Sequence, residues 1–288
     1  MRRFFRGVVG LALMVSASAP ALAVGQLPDS VAPIRYDITV DPNAAAKTFT
    51  GRETITVRVK PATRKIILNA ADLKISRATL DGKPVAMTMD KTNQQVTLTP
   101  KLPLKPGLHT IGFVWSGKIN DTAAGFFAID YKNPDGSAAR MLATQFEAPD
   151  ARRFAPMFDE PAFKAKFKLA TVAPAKQLAY SNMPATVSRL ADGRQLYSFA
   201  ETPVMSSYLL YLGMGDVERK TVMAGKTEIG IITRRGVVDQ GDYALASAKR
   251  LLTYYNDYFG QPYPLPKLDM IAGPGSSQFF GAMENWGA

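Results

Sequence analysis

Between about residue 34 and residue 211, the chain repeats short runs in which apolar and polar side chains alternate. Such a period of two is typical of strands that bury one face and expose the other to water. Turn-forming pairs such as Asp81-Gly82 separate the runs. The pattern therefore predicts an N-terminal domain over residues 30–213 that folds as an antiparallel β-sandwich. Its clearest apolar sets are Ile34, Tyr36, Ile38 and Val40; Ile55, Val57 and Val59; Val96 and Leu98; and Phe167 and Leu169.

After the predicted sandwich, the pattern becomes that of a mixed α/β region. Residues 227–233 and 268–272 are predicted strands, the second as a nearly continuous apolar run that indicates burial. Between them, residues 243–259 carry apolar side chains at the 3.6-residue period of a helix. Asp242 is the expected N-cap of this helix, and Gly260 is expected to end it.

We therefore predict a second domain over residues 216–288, which is the incomplete start of a larger one. A region of this size is small for an independent core. Its two strands are expected to expose their apolar faces, because few residues remain to cover them.

The first 23 residues have the organisation of a signal peptide. Three arginines lie within the first six residues, residues 7–19 are apolar but too short to span a bilayer as a helix, and residues 21–23 form an A-x-A cleavage pattern. A buried helix is the alternative, but the run is apolar on all sides and has small residues where a core needs bulk. We predict removal of residues 1–23 and export, to the periplasm of a Gram-negative bacterium.

Composition narrows the possible chemistry. The net charge is +11, or +8 without the predicted signal, but no basic stripe interleaved with aromatic residues occurs, so nucleic acid is not an expected partner. No second stretch reaches the length of a membrane span. The chain has no cysteine and a single histidine, His109, so it lacks the residues for a zinc site with the usual ligands. We interpret His109 as a surface or interface residue.

Three ordered stretches carry distinctive motifs. They are TQFEAPDARRFAPMFDEP at residues 144–161, TPVMSSYLL at 202–210 with Ser181-Asn182-Met183 upstream, and YYNDYFGQPYPLPKLDMIAGPGSSQFFGAMENWG at 254–287. Together they resemble the aminopeptidase N family of zinc metallopeptidases, the gluzincin aminopeptidases. The resemblance extends from about residue 33 to the end of the chain. It is specific because three motif blocks occur in the same order as in the family.

The resemblance implies a mainly β fold: a saddle-like antiparallel β-sandwich domain, then the truncated start of a thermolysin-like α/β catalytic domain. The family binds zinc through an H-E-x-x-H helix and a glutamate downstream of G-x-M-E-N. This chain contains no H-E-x-x-H, and its G-x-M-E-N motif lies at residues 281–285. We therefore expect the zinc ligands and the catalytic residues to lie beyond Ala288. The chain as given is predicted to bind no metal and to hydrolyse nothing.

The resemblance also implies a role for this chain in holding the substrate. The α-ammonium of a peptide has a pKa near 8, so at neutral pH it is mostly a cation that a carboxylate can bind. By resemblance Glu284 is this amine anchor and Glu147 is a second acceptor. Gln145 is expected to shape the pocket for the first side chain. The motif residues Met283 and Asn285 belong to the same segment, and Gly281 and Ala282 lack bulk, so the substrate backbone can pair beside them.

Other conspicuous residues receive structural interpretations. Arg152 and Arg153 are expected to pair with Asp159 and Glu160 and to fix a turn between strands. Tyr208 is expected to contribute to core and interdomain packing, as are Met205 and Tyr211. Glu284 and Glu147 each have a structural alternative, in which the carboxylate only caps a turn.

Two functions follow from these observations. The first is the N-terminal part of an exported zinc-dependent aminopeptidase that acts on peptides with a free N-terminus. The second is a non-catalytic, β-rich module that binds peptides or a protein partner. A reading frame beyond codon 288 that encodes H-E-x-x-H distinguishes the first from the second.

Overall fold

The computed structural model describes residues 25–274 and 283–288. The predicted signal peptide, together with Gly281 and Ala282, lies outside these described residues. The strands of the described part are β1 Val31–Asn43, β2 Thr48–Val59, β3 Ile66–Asn69, β4 Lys74–Leu80, β5 Lys83–Pro84, β6 Ala86–Asp90, β7 Gln95–Thr99, β8 Gly107–Lys118, β9 Gly125–Lys132, β10 Ala138–Gln145, β11 Lys166–Ala173, β12 Leu178–Ser181, β13 Ala185–Arg189, β14 Gln195–Phe199, β15 Leu212–Gly215, β16 Val217–Ala224, β17 Thr227–Arg234 and β18 Lys267–Ile271. Among the residues that the structure describes, one α-helix, α1, spans Asp242–Tyr258, and short 3-10 turns lie at Ala151–Arg153, Ser207–Leu209 and Val238–Gly241.

The largest sheet has eight strands in the order β13-β14-β11-β1-β2-β8-β4-β5. Its neighbouring strands are antiparallel except for β1 and β11, which are parallel. The alternation seen in the sequence appears in the burial of β1, where Tyr36, Ile38 and Val40 are all buried. Ile34 departs from the prediction and is only half-buried, because the register with β2 shifts between Pro33 and Arg35 and breaks the period of two.

Two smaller sheets pack with the large one. A three-stranded sheet, β3-β7-β6, and a four-stranded sheet, β12-β15-β10-β9, contribute buried residues to the same hydrophobic core. The four-stranded sheet is buried on both faces: Phe126 and Leu142 enter this first core, whereas Phe127 and Met141 enter a second core on the other side. The mainly β fold expected from the sequence is therefore confirmed.

The second three-stranded sheet, β16-β17-β18, follows the four-stranded sheet along the chain. Strands β17 and β18 are parallel and joined through α1, which is a β-α-β connection. The helix packs Leu245 and Leu252 against Ile229 and Ile231 of β17. On the opposite face, Ile232 joins the second core with the four-stranded sheet. The expectation that these strands expose their apolar faces is therefore wrong for β17, because the helix and the four-stranded sheet cover both of its sides.

The helix differs in detail from the prediction. Asp242 is the first helical residue, and the N-cap is Gly241. The aromatic end of the helix is exposed: Tyr255 stacks on Phe259, and Tyr258 meets the Phe259 ring edge-on, instead of entering a core. Within the described residues, no helix combines the length and the apolar character needed to cross a membrane.

Candidate amine-binding site

The first part of the site lies at the end of β10. Gln145 is the last residue of this strand and is half-buried, whereas Glu147 is exposed two residues later. The Gln145 Oε1 atom accepts a hydrogen bond of 3.1 Å from the Glu147 backbone N–H. Thr144 anchors the end of the strand from the buried side, since its Oγ1 accepts a hydrogen bond of 2.9 Å from the Leu212 N–H of β15. The strand end that carries Gln145 and Glu147 is thus fixed to the interior.

The second part is the 3-10 turn Ser207–Leu209, whose central residue is Tyr208. Ser207 ties this turn to the core, because its Oγ donates a hydrogen bond of 2.9 Å to the buried Asp159 carboxylate. Asp159 in turn accepts hydrogen bonds of 3.1 Å from both the backbone N–H and the Nε of Arg152. The predicted pairing of Arg152 with Asp159 is confirmed.

The pairing predicted for Arg153 and Glu160 is wrong. Arg153 contacts Asp150 and Asp72, and Glu160 accepts a hydrogen bond of 2.6 Å from the Leu27 N–H. The reason is the 3-10 turn at Ala151–Arg153, which directs the two neighbouring arginines to different sides. Arg152 and Arg153 are therefore adjacent in the sequence but bind different carboxylates.

The third part is the segment 283–288, which carries Glu284. Glu284 is exposed, whereas Asn285, the next residue, is buried. Backbone carbonyls hold the segment in place: Trp286 O accepts a hydrogen bond of 2.8 Å from Asn182 Nδ2, and Gly287 O accepts one of 2.6 Å from the buried Lys267 Nζ. The segment thus contacts the N-terminal sheets on one side and β18 on the other.

These three parts meet at one small cavity of about 10 Å³. A cavity near 10–15 Å³ is about the size that one water molecule occupies. An ammonium group is similar in size, and the oxygen-bearing side chains around the cavity are acceptors that suit a cation. The described residues that line the cavity are Gln145, Glu147, Tyr208, Met283, Glu284 and Asn285.

The structure brings together most of the residues singled out in the sequence. Gln145, Glu147, Met283, Glu284 and Asn285 all line this cavity, although more than 130 positions separate the two groups along the chain. Tyr208 is the lining residue that sequence reasoning placed elsewhere, in core packing. The available signal was its position in the second of the three family-like blocks, at residues 202–210.

The described residues do not fit a zinc site. Among residues 25–274 and 283–288, no group of three His, Cys, Asp or Glu side chains is arranged to hold a metal ion. The one histidine of the sequence, His109, lies at a different place, where its ring nitrogens contact the Asp81 carboxylate at 2.8 Å and the Lys105 carbonyl at 3.0 Å. The described residues that line the cavity therefore present oxygen acceptors, and His109 is not among them.

The chain is similar to known proteins along most of its length. A profile of the Peptidase M1 N-terminal domain matches residues 32–209, and a profile of the Peptidase family M1 domain matches residues 243–288. Aminopeptidase N of Acetobacter pasteurianus is 43% identical over 267 residues, which is 92% of this chain and 75% of that protein.

More distant relatives are much longer than this chain. Aminopeptidase M1-C of Oryza sativa subsp. japonica is 38% identical over 287 residues, and the match covers 95% of this chain but 32% of the rice protein. Endoplasmic reticulum aminopeptidase 1 of Homo sapiens is 35% identical over 273 residues, with 91% of this chain and 29% of the human protein covered. Because the first profile alone covers more than half of the residues and the Acetobacter match spans most of both proteins, this chain belongs to the peptidase M1 family.

Proposed function

We propose that this chain is the N-terminal part of an exported, zinc-dependent aminopeptidase, in which it binds the α-amino group of the peptide substrate. The observation that carries the proposal is the shared cavity. Glu147, from the end of β10, and Glu284, from the segment 283–288, line the same space of about 10 Å³. Membership of the peptidase M1 family and the aminopeptidase names of the relatives support the same conclusion.

The chemistry of the cavity suits a peptide that has a free N-terminus. Two carboxylates that face one site repel each other when it is empty, and an ammonium group relieves the repulsion. An ammonium–carboxylate hydrogen bond is about twice as strong as a neutral one. A peptide with an acetylated N-terminus offers no cation and leaves both carboxylates without a partner, so it is rejected. This selection explains how an exopeptidase distinguishes the end of a peptide from its interior.

The remaining site residues have supporting roles in this proposal. Gln145, beside Glu147 in the cavity, limits the space for the first side chain of the substrate. Gly281 and Ala282 lie outside the described residues, and we propose that the substrate backbone pairs beside them as an added strand. Zinc bound by the complete enzyme would supply Lewis-acid chemistry. In our proposal the described residues supply none of its ligands, and the present chain alone hydrolyses nothing.

The proposed location is the periplasm of a Gram-negative bacterium. The features that support it are the three N-terminal arginines, the apolar run at residues 7–19 and the A-x-A pattern at residues 21–23. N-terminal sequencing of the secreted protein tests this part, with Val24 as the expected first residue.

Substitution of Glu284 in the zinc-loaded enzyme that contains this chain tests the amine-binding role. Glu284→Gln keeps the shape and removes the charge, so transition-state stabilisation should fall by about 2–4 kcal/mol for substrates with a free amine. Glu147→Gln should act in the same direction. The measurement is kcat/KM for an aminoacyl anilide.

A matched control is Glu218→Gln. Glu218 lies on β16 and accepts a hydrogen bond of 2.9 Å from the Gly236 N–H, which a glutamine oxygen can also accept. This variant should retain the kcat/KM of the unsubstituted enzyme. Wild-type efficiency in both Glu284→Gln and Glu147→Gln would disprove the amine-binding assignment.

A further inference from the structure

One buried side chain, that of Asn182, joins two of the three parts of the site. Asn182 is 1% exposed and directly follows β12. Its Nδ2 group donates hydrogen bonds to Leu209 O at 2.7 Å and to Trp286 O at 2.8 Å. Its Oδ1 atom accepts a hydrogen bond of 2.8 Å from the Tyr211 N–H. The amide thus links the turn that carries Tyr208 to the segment that carries Glu284.

We propose that Asn182 is a positioning residue for the amine-binding carboxylate Glu284. This inference rests on the proposed function, because it assumes that Glu284 binds the substrate amine. Glu284 is itself exposed, so the position of its side chain depends on how its backbone is held. Asn182 holds that backbone two residues further on, at the Trp286 carbonyl.

A second contact, from Lys267, holds the carbonyl of Gly287, the residue after Trp286. Gly287 has a φ of +81°, and a Cβ at this position would overlap the Asn182 carbonyl oxygen. Its own carbonyl accepts the hydrogen bond from Lys267 Nζ at 2.6 Å. The carbonyls of Trp286 and Gly287 are therefore held by Asn182 and Lys267, which belong to different sheets of the molecule.

The residue type at 182 is required by this arrangement. An asparagine amide has two N–H donors and one acceptor oxygen, and here both kinds of group are used at once. An aspartate at this position would direct a carboxylate oxygen at two carbonyl oxygens, which is repulsive. An alanine would remove all three hydrogen bonds, including the one from the buried Tyr211 N–H, and Leu209 O would keep only the longer bond of 3.5 Å from Asn285 Nδ2. Both changes should let the segment 283–288 shift relative to Glu147.

The test uses the zinc-loaded enzyme that contains this chain and two inhibitors that differ only in the amine. Leucine hydroxamate carries the α-amino group, and 4-methylpentanohydroxamate lacks it, while both bind metal through the same group. The inhibition constant of 4-methylpentanohydroxamate divided by that of leucine hydroxamate therefore measures the amine site separately from the zinc site. In Asn182→Ala and Asn182→Asp, this ratio should fall by about 10-fold to 100-fold, because a displaced binding group loses most of its contribution.

Asn133→Ala is the matched control. Asn133 is also a buried asparagine, at 5% exposed, and its Nδ2 donates to Ser137 Oγ at 3.2 Å and to Asp216 Oδ2 at 3.0 Å. This variant should lose stability and keep the amine preference. If a folded Asn182 variant keeps the wild-type ratio, even with both inhibitors weakened equally, then Asn182 is only structural and the proposal is wrong. An unsubstituted enzyme that binds both inhibitors equally would instead reject the proposed function.

A second variant and a second measurement cover the case in which Asn182→Ala does not fold. Gly287→Ala should move the same peptide away from Asn182 and lower the inhibitor ratio too, and an unchanged ratio would overturn the proposal. In the 288-residue chain itself, acrylamide quenching reports on Trp286, since the other tryptophan, Trp115, is 2% exposed. Quenching should increase in Asn182→Ala and stay unchanged in Asn133→Ala.

Discussion

The two regions of the molecule each contain a buried carboxyl group, Glu53 in the first and Asp269 in the second, and the surroundings of these two groups are opposite. In the first region, residues 25–215, Glu53 lies on the inner face of β2 between Ile38 of β1 and Phe113 of β8. Neither of its carboxyl oxygens has a hydrogen-bond partner among the described residues. Burial raises the pKa of the Glu53 carboxyl well above its ordinary value of 4.5, so it favours the neutral form of this group.

In the second region, residues 216–274 and 283–288, buried charges occur together with their partners. Asp269 of β18 accepts hydrogen bonds of 2.9 and 2.8 Å from Arg219, and one of 2.8 Å from Lys267 Nζ. Both Lys267 and Asp269 are almost completely buried. Burial lowers the pKa of the Lys267 ammonium, and the adjacent Asp269 carboxylate opposes that shift.

The difference shows two solutions to the same physical problem. A buried carboxyl can lie without a partner in an apolar setting that favours its neutral form, as Glu53 does, or it can pair with cations, as Asp269 does. The second solution also organises the site, because the Lys267 that pairs with Asp269 donates to the Gly287 carbonyl beside Glu284. The charged cluster of the second region is therefore connected to the candidate site, whereas Glu53 belongs to a sheet interior.

The largest effect is expected from Asp269→Asn, which removes the shared anion of the cluster. Lys267 would then be left buried without this counter-charge, whereas the half-buried Arg219 would keep Glu228 at 2.6 Å. Breaking a buried pair typically costs about 3–5 kcal/mol. Urea unfolding of the chain measures the loss. The control is Asp239→Asn, because Asp239 pairs with Lys220 at 2.8 Å but its side chain is 87% exposed, so its loss should cost less than about 1 kcal/mol. Equal losses of unfolding free energy in the two variants would show that the buried cluster stabilises the fold no more than an exposed ion pair does.

A change of opposite sign is expected at Glu53. Glu53→Leu removes a buried polar group that lacks partners, so the free energy of unfolding at pH 7 should increase by about 1–3 kcal/mol. A loss of stability of that size would mean that Glu53 has a stabilising partner.

The same group predicts a pH dependence. The pKa of Glu53 is higher in the folded state than its ordinary value of 4.5, so its contribution to stability is fully present below pH 4.5 and is lost as pH rises through the folded pKa. Glu53→Gln cannot titrate and should remove this slope from the stability–pH curve. Asp257→Asn, a change at an exposed carboxylate of α1, should leave the slope in place.

The strands were the most predictable feature of the fold. Runs such as Ile55, Val57 and Val59 have a period that local sequence determines, and all three residues are buried as expected. The bulge that displaces Ile34 was not predictable, because it depends on how β1 aligns with β2. In β18 the most buried side chains are Lys267 and Asp269, although the prediction for that strand emphasised its apolar residues. Their burial depends on Arg219, which lies about 50 positions away in the chain.

The candidate site was predictable only where a motif named its residues. Glu147 and Glu284 were identified from two motif blocks, and the structure places both at one cavity. Tyr208 and Asn182 were present in quoted blocks, but nothing local to the sequence assigns them to the site. Their roles depend on long-range contacts, such as that between Asn182 Nδ2 and the Trp286 carbonyl, and a single sequence does not encode these contacts as a pattern.

The smallest effect is expected from an ion pair at the surface of the first region, and it tests whether burial is what separates the two solutions above. A hydrogen bond to Asp81 raises the pKa of His109 above its ordinary value of 6.5. The stability that this pair contributes is therefore fully present below pH 6.5 and is lost as pH rises through the higher folded pKa. Because the Asp81 side chain is 48% exposed, the contribution should stay below about 1 kcal/mol, and 0.5 M salt should reduce it. His109→Gln should remove that part of the pH dependence while leaving the slope assigned to Glu53 unchanged. A loss as large as that of Asp269→Asn would contradict the view that desolvation, rather than pairing alone, sets the size of these effects.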